Sequence, residues 1–144
     1  MLTNFPHPIK AILIGSVLVS NFVCKNILNY VCNAFIKKIN LKNFRLTFRS
    51  KYRAADIEPK KNSIVPGALF EISKSDEKKL DVYEDFPILY KKYYFYYYGK
   101  KVMTYTMVKK SPFKFPTERY LNVVKRGYRD CKLDKSFLIK ALQT

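Results

Sequence analysis

The sequence predicts an α+β domain, a small mixed or antiparallel β-barrel with flanking helices. Three observations carry this. Apolar runs of strand length are broken by turn residues, helix-spaced segments with capping residues fall between and after them, and a tyrosine-rich hairpin pattern at 90–107 is followed by two helical patterns. The chain has 144 residues, and 48% of them are hydrophobic, which is enough for one core. A single domain over 1–144 is therefore expected, with residues 1–10 disordered or loosely attached.

Residues 11–14 form an apolar run of strand length, ended by Gly15-Ser16. From Asn21 to Ile39 apolar residues recur at three- and four-residue spacing, which predicts a helix. The alternation LKNFRLTF at 41–48 predicts a strand, Lys51–Arg53 a polar connection, 55–57 a short strand and Lys60–Ser63 a turn. Ile64–Ile72 reads as a strand whose Pro66-Gly67 step implies a bulge or an edge. Ser73 or Ser75 can cap a helix over DEKKLDVYE, which Phe86-Pro87 stops. Tyr90–Tyr98 and Lys101–Met107 pair as a hairpin around Gly99-Lys100, with alternate tyrosines facing the core and solvent. Thr117 caps a helix running to about Cys131, and Asp134 or Lys135 starts a last short one.

The formal net charge is +17, and no acid precedes Asp56. Such a balance suggests an anionic partner, and a basic nucleic-acid-binding domain is one reading. Lys outnumbers Arg 22 to 6, however, and Arg is the better residue for bidentate phosphate or guanine contacts. The Lys, Asn, Ile, Phe and Tyr excess also matches A/T-rich codon usage. Any nucleic-acid binding is expected to be weak, non-specific and sensitive to salt, with no specific nucleic acid as partner.

The cysteines are Cys24, Cys32 and Cys131, an odd number without a CxxC pair, and His7 is the sole histidine. No zinc site fits that set, no cofactor is implied, and reduced thiols in a cytoplasmic protein are expected. Residues 11–24 resemble a signal or anchor segment in composition, but they are short for a span and lack a small-x-small cleavage pattern. No membrane partner is expected, and a buried strand followed by a turn is the reading adopted.

Three of the 11 acids fall within DVYED, residues 81–85. Leu80 and Glu84 are four apart on one helix face, so if Leu80 enters the core Glu84 follows it. A carboxyl carried into an apolar pocket becomes a usable proton acceptor and donor. The plainer reading is a pair of solvated charges at a helix end.

LDVYEDFPILY, residues 80–90, resembles the LDxYEGxPxxY signature of the γ-glutamylcyclotransferase-like family, which includes the AIG2-type proteins. ILIGSVL at 12–18 resembles that family's FAYGSNL loop, and the ADI at 55–57 and VPGALFEIS at 65–73 resemble family strands. FPTERYLNVVKRGYRDCKLDKSFLIKAL resembles its closing pattern. The resemblance implies a γ-glutamylcyclotransferase-like barrel and cleavage of a γ-glutamyl amino acid or amine with release of 5-oxoproline. It places the catalytic acid/base at Glu84. It places substrate contacts at Ile14, Gly15, Ser16 and Val17, where backbone N–H groups would meet the substrate, and at Tyr90 and Tyr105. Ile14 and Val17 stand where the family has Tyr and Asn, and Asp85 where it has Gly. A catalytically silent member binding a small ligand or a protein is the alternative reading.

Overall fold

A computed structural model describes residues 9–13 and 35–143, with side chains from Lys37 onward. In chain order these form β1 (Ile9–Leu13), β2 (Phe35–Arg49), β3 (Ala54–Ile72), α1 (Lys74–Tyr83), β4 (Tyr90–Tyr97), β5 (Lys100–Met107), α2 (Glu118–Asp130) and α3 (Lys135–Ala141). The strands make one mixed sheet in the order β2-β3-β1-β5-β4. Only β1 and β5 run parallel; the other neighbours are antiparallel.

The long β2–β3 hairpin replaces two expected features. Residues 35–39 are strand rather than the end of a helix, and residues 21–34 of that expected helix lie outside the described residues. The reason is legible in the side chains. Ile39 and Leu41 are buried while Lys38, Asn40 and Lys42 are exposed, which is a period of two, and Ile39 sits opposite Gly67 in the ladder. The turn expected at 60–63 is likewise strand. These residues bulge out of the ladder, whose pairing jumps from Phe44 opposite Pro59 to Lys42 opposite Ile64, and Asn62 adopts φ 64 with its N–H donated to Asn43 Oδ1 at 3.2 Å. Pro66 pairs with Asn40, and among the described residues the β1 ladder reaches as far as Ala68.

The helix signals hold. Ser73 caps α1 in a capping box with Asp76, Thr117 caps α2 through Tyr120 N, and Asp134 caps α3 through Ser136 N. The β4–β5 turn is Tyr98-Gly99, both at positive φ, a conformation suited to a two-residue hairpin loop.

One core joins the layers. Phe48, Val65, Leu80, Val102, Met103 and Tyr128 are all but inaccessible to solvent, so both sheet halves and two helices contribute to it. Among the described residues no ladder joins the sheet edges β2 and β4. No helix among them is long and apolar enough to cross a membrane.

Candidate active site

Glu84 is the C-cap of α1, and its N–H donates to Leu80 O at 2.8 Å. Leu80 is fully buried in the core, and the same helix face carries Glu84 inward to 5% exposure. The carboxyl meets a cavity of about 320 Å³ lined by Tyr52, Ala54, Tyr83, Asp85, Leu89, Tyr90 and Tyr120. Its Oε1 has no hydrogen-bond partner among the described residues. Desolvation therefore disfavours the charged form, and the pKa is pushed up to about 8. An acid near neutrality, on a residue that lines a cavity, can take up and return a proton without leaving its place.

Two tyrosines fix the wall opposite. The Tyr90 hydroxyl donates to Ala55 O at 2.6 Å, while the Tyr120 hydroxyl accepts from Ala55 N at 3.0 Å. The two peptide groups that flank Ala55 in β3 are thus held, one from β4 and one from α2. Burial raises the pKa of Tyr90 and of Tyr120, so both stay neutral phenols. Tyr83 is pushed up to about 12 by burial and by the charge of Glu84.

Asp85 departs from the glycine of the resemblance, and its geometry accounts for what is tolerated there. Its φ is 50, a left-handed conformation that Gly adopts freely and that Asp visits more readily than most residues. Its carbonyl accepts from Ile88 N at 2.9 Å and Leu89 N at 2.8 Å, and the residue as a whole is exposed.

Of the residues expected at a substrate site, Glu84 and Tyr90 line one cavity. Tyr105 is not among the residues lining it; its hydroxyl donates to Asp81 Oδ1 at 2.6 Å, behind the helix that carries Glu84. Ile14, Gly15, Ser16 and Val17 lie outside the described residues. Tyr120, Tyr83 and Tyr52 line the cavity without having been singled out from sequence. Tyr120 sits in the closing pattern, three residues after Thr117, but no local signal links it to Ala55.

Beneath this region lies a cluster of charges. Asp56 is buried, with Oδ1 accepting from Met107 N at 2.8 Å and Oδ2 from Lys110 Nζ at 2.8 Å. Arg49 Nε is 3.1 Å from Asp56 Oδ2, close enough to pair but not aligned for a hydrogen bond. Arg49 also binds Glu58 and donates to Ser111 O at 2.9 Å, and Arg45 reaches Glu58 at 2.6 Å. Burial would raise the Glu58 pKa, but the two arginines outweigh it and hold it below the usual value.

The family model described as "Gamma-glutamyl cyclotransferase, AIG2-like" matches residues 22–122, more than half of the chain. The chain belongs to that family. Solved structures agree on the fold. A protein titled γ-glutamyl cyclotransferase superposes with a TM-score of 0.73 at 17% identity, covering 92% of this chain and 85% of its own. YkqA from Bacillus subtilis gives 0.77 at 18% identity over 95% of this chain and 55% of its own. A human protein described as uncharacterized gives 0.71 at 17% identity, covering 94% and 86%. No curated protein sequence matches the chain. Within the γ-glutamyl cyclotransferase, AIG2-like family, the match takes in Glu84, Tyr90, Tyr105 and Tyr120 but leaves out the loop at 14–17.

Proposed function

We propose that this protein cleaves a γ-glutamyl amino acid or amine by intramolecular attack and releases 5-oxoproline, with Glu84 as the general acid/base. The observation that carries the reading is the buried Glu84, which lines a cavity of about 320 Å³ and whose Oε1 has no hydrogen-bond partner among the described residues. In the proposed reaction the Glu84 carboxylate takes a proton from the substrate α-ammonium. The freed amine nitrogen attacks the γ-carbonyl carbon and closes a five-membered ring. Glu84 then returns the proton to the leaving nitrogen as the γ C–N bond breaks, and the ring nitrogen gives up its second proton, which the departing amine takes as it leaves as an ammonium. No water is consumed and no protein nucleophile is needed, because both reacting groups belong to one molecule.

The loop at 14–17 belongs to the proposal as donor of N–H groups to the substrate carboxylate or the developing oxyanion. The topology is compatible with that. β1 runs parallel to β5 with Ala11 beside Met103, so it leads toward Met107, whose hairpin partner is the cavity residue Tyr90. We also read the curled sheet as a barrel closed by side chains, since Tyr90 and Met107 reach Ala55 and Asp56 on β3. A cytoplasmic location is part of the same reading and rests on the cysteine usage.

The test is release of 5-oxoproline from a panel of γ-glutamyl amino acids and amines, followed by chromatography. Product formation that Glu84→Gln abolishes supports the reading. A correctly folded wild type that releases none from the whole panel overturns it and favours the silent binding member.

A further inference from the structure

Apart from the Glu84 cavity, a groove of about 950 Å³ runs between β2, β4 and the start of α3. It shares no lining residue with the Glu84 cavity. β2 and β4 are the two edges of the sheet, and side chains bridge the gap between them. Asn43, at φ 64, sits in the β2 bulge, and the next residue, Phe44, meets the Tyr93 ring at 5.4 Å. Tyr93 in turn stacks on Phe95 with centroids 6.1 Å apart and planes 25° from parallel. Three rings therefore follow one another along the groove.

Cations flank these rings. Lys38, Lys42 and Lys132 line the groove, are exposed, and form no ion pair with a described side chain. Asp134 is the acid among the lining residues, and its carboxylate already accepts from Ser136 N at 2.9 Å as the cap of α3. Lysines on their own would suit any polyanion. A ladder of aromatic faces between them suits a polyanion that carries flat rings, because bases stack on aromatic side chains whatever their sequence while lysines neutralise the phosphates.

We propose that this groove binds single-stranded nucleic acid without sequence preference. Phe44, Tyr93 and Phe95 form the stacking platform, and Lys38, Lys42 and Lys132 contact phosphates. Lysine rather than arginine at these places fits the absence of base reading, since lysine acts as a point charge.

The experiment is fluorescence anisotropy of labelled oligo(dT) and oligo(U) with the full chain, at low and at physiological salt, with heparin as a polyanion without bases. Tyr93→Ala is expected to weaken oligonucleotide binding about tenfold and to leave heparin binding unchanged, while Tyr93→Phe stays within about twofold of wild type. Lys38→Gln with Lys42→Gln is expected to flatten the salt dependence by about 0.7 in log–log slope per lost phosphate contact. Tyr93→Leu, which keeps an apolar side chain but removes the ring, repeats the stacking test if Tyr93→Ala lowers the melting temperature. The proposal is overturned if the aromatic variants bind oligonucleotides like wild type. It is equally overturned if Lys109→Gln with Lys125→Gln, outside the groove, weakens binding as much, or if an oligoglutamate peptide or a second copy of the chain occupies the groove in preference.

Discussion

The Tyr105 hydroxyl on β5 donates to Asp81 Oδ1 on α1 at 2.6 Å. The other oxygen of Asp81 takes Lys92 Nζ at 3.0 Å, and Lys92 also reaches Glu77 Oε1 at 2.9 Å. Both strands of the β4–β5 hairpin thereby hold the helix that ends at Glu84. We propose that Tyr105 positions the helix that carries Glu84 rather than touching a substrate. Tyr105→Phe is expected to lower stability by about 1–2 kcal/mol in urea unfolding, the worth of a hydrogen bond to a charged acceptor. Turnover of a γ-glutamyl compound should fall far less than in Glu84→Gln. An equal loss with unchanged stability would place the phenol at the substrate.

Glu84→Gln keeps the size of the side chain but can neither accept nor return a proton. Where the wild type releases 5-oxoproline, kcat is expected to fall on the order of a hundredfold to ten-thousandfold. Asp85→Asn should change it little, because Asp85 is exposed and burial is the cause of the Glu84 shift. A comparable loss in Asp85→Asn would move the acid/base role to the wrong neighbour's account and overturn the assignment.

Left-handed backbone gives a separate test at the same place. Asp85 adopts φ 50, so Asp85→Gly is expected to be neutral or stabilising by up to about 1 kcal/mol, whereas Asp85→Val should cost about 1–2 kcal/mol. Thermal unfolding of the two variants side by side measures the difference. Equal stabilities would show that the turn relaxes away from this conformation.

What was legible in the sequence was local. Ser73, Thr117 and Asp134 announce helix starts because a cap needs only a side-chain oxygen two or three residues before the N–H groups it satisfies. Glu84 could be placed inside because it shares a helix face with Leu80. The start of β2 was hidden because Phe35 and Ile39 also satisfy helical spacing, and only pairing with Phe70 and Gly67 decides for a strand. The Tyr120–Ala55 bond spans 65 positions, and no neighbour of either residue signals it. The same holds for Asp56, which sequence marked only as part of a strand.

Asp56 tests that long-range cluster. It satisfies Met107 N and Lys110 Nζ and faces the buried Arg49. Asp56→Ala leaves a buried amide without its acceptor and Arg49 with only Glu58 as anionic partner. A loss of about 3–5 kcal/mol is expected, enough to unfold a marginal domain. Asp56→Asn keeps an acceptor for Met107 N and should lose less. A circular-dichroism melt that shows Asp56→Ala close to wild type would mean that water replaces the lost contacts.

Proton linkage at Glu84 offers a test that needs no substrate. In the unfolded chain the carboxyl ionises near its ordinary value of 4.5, whereas burial keeps it protonated in the folded protein up to about 8. Between those values the folded state binds more protons than the unfolded state, so raising the pH through this window favours unfolding. Wild-type stability is therefore expected to fall across it relative to Glu84→Gln, whose amide has no proton to lose. The gap between the two proteins should grow by about 1.4 kcal/mol per pH unit, to on the order of 4 kcal/mol by about pH 8, and then level off. Comparing variant with wild type at each pH cancels the other titrating groups. Urea unfolding of both proteins across the window measures it. A gap that stays flat would show that the carboxyl ionises normally in the folded protein, and a solvated carboxylate of that kind would not be the desolvated acid/base that the proposed cyclisation requires.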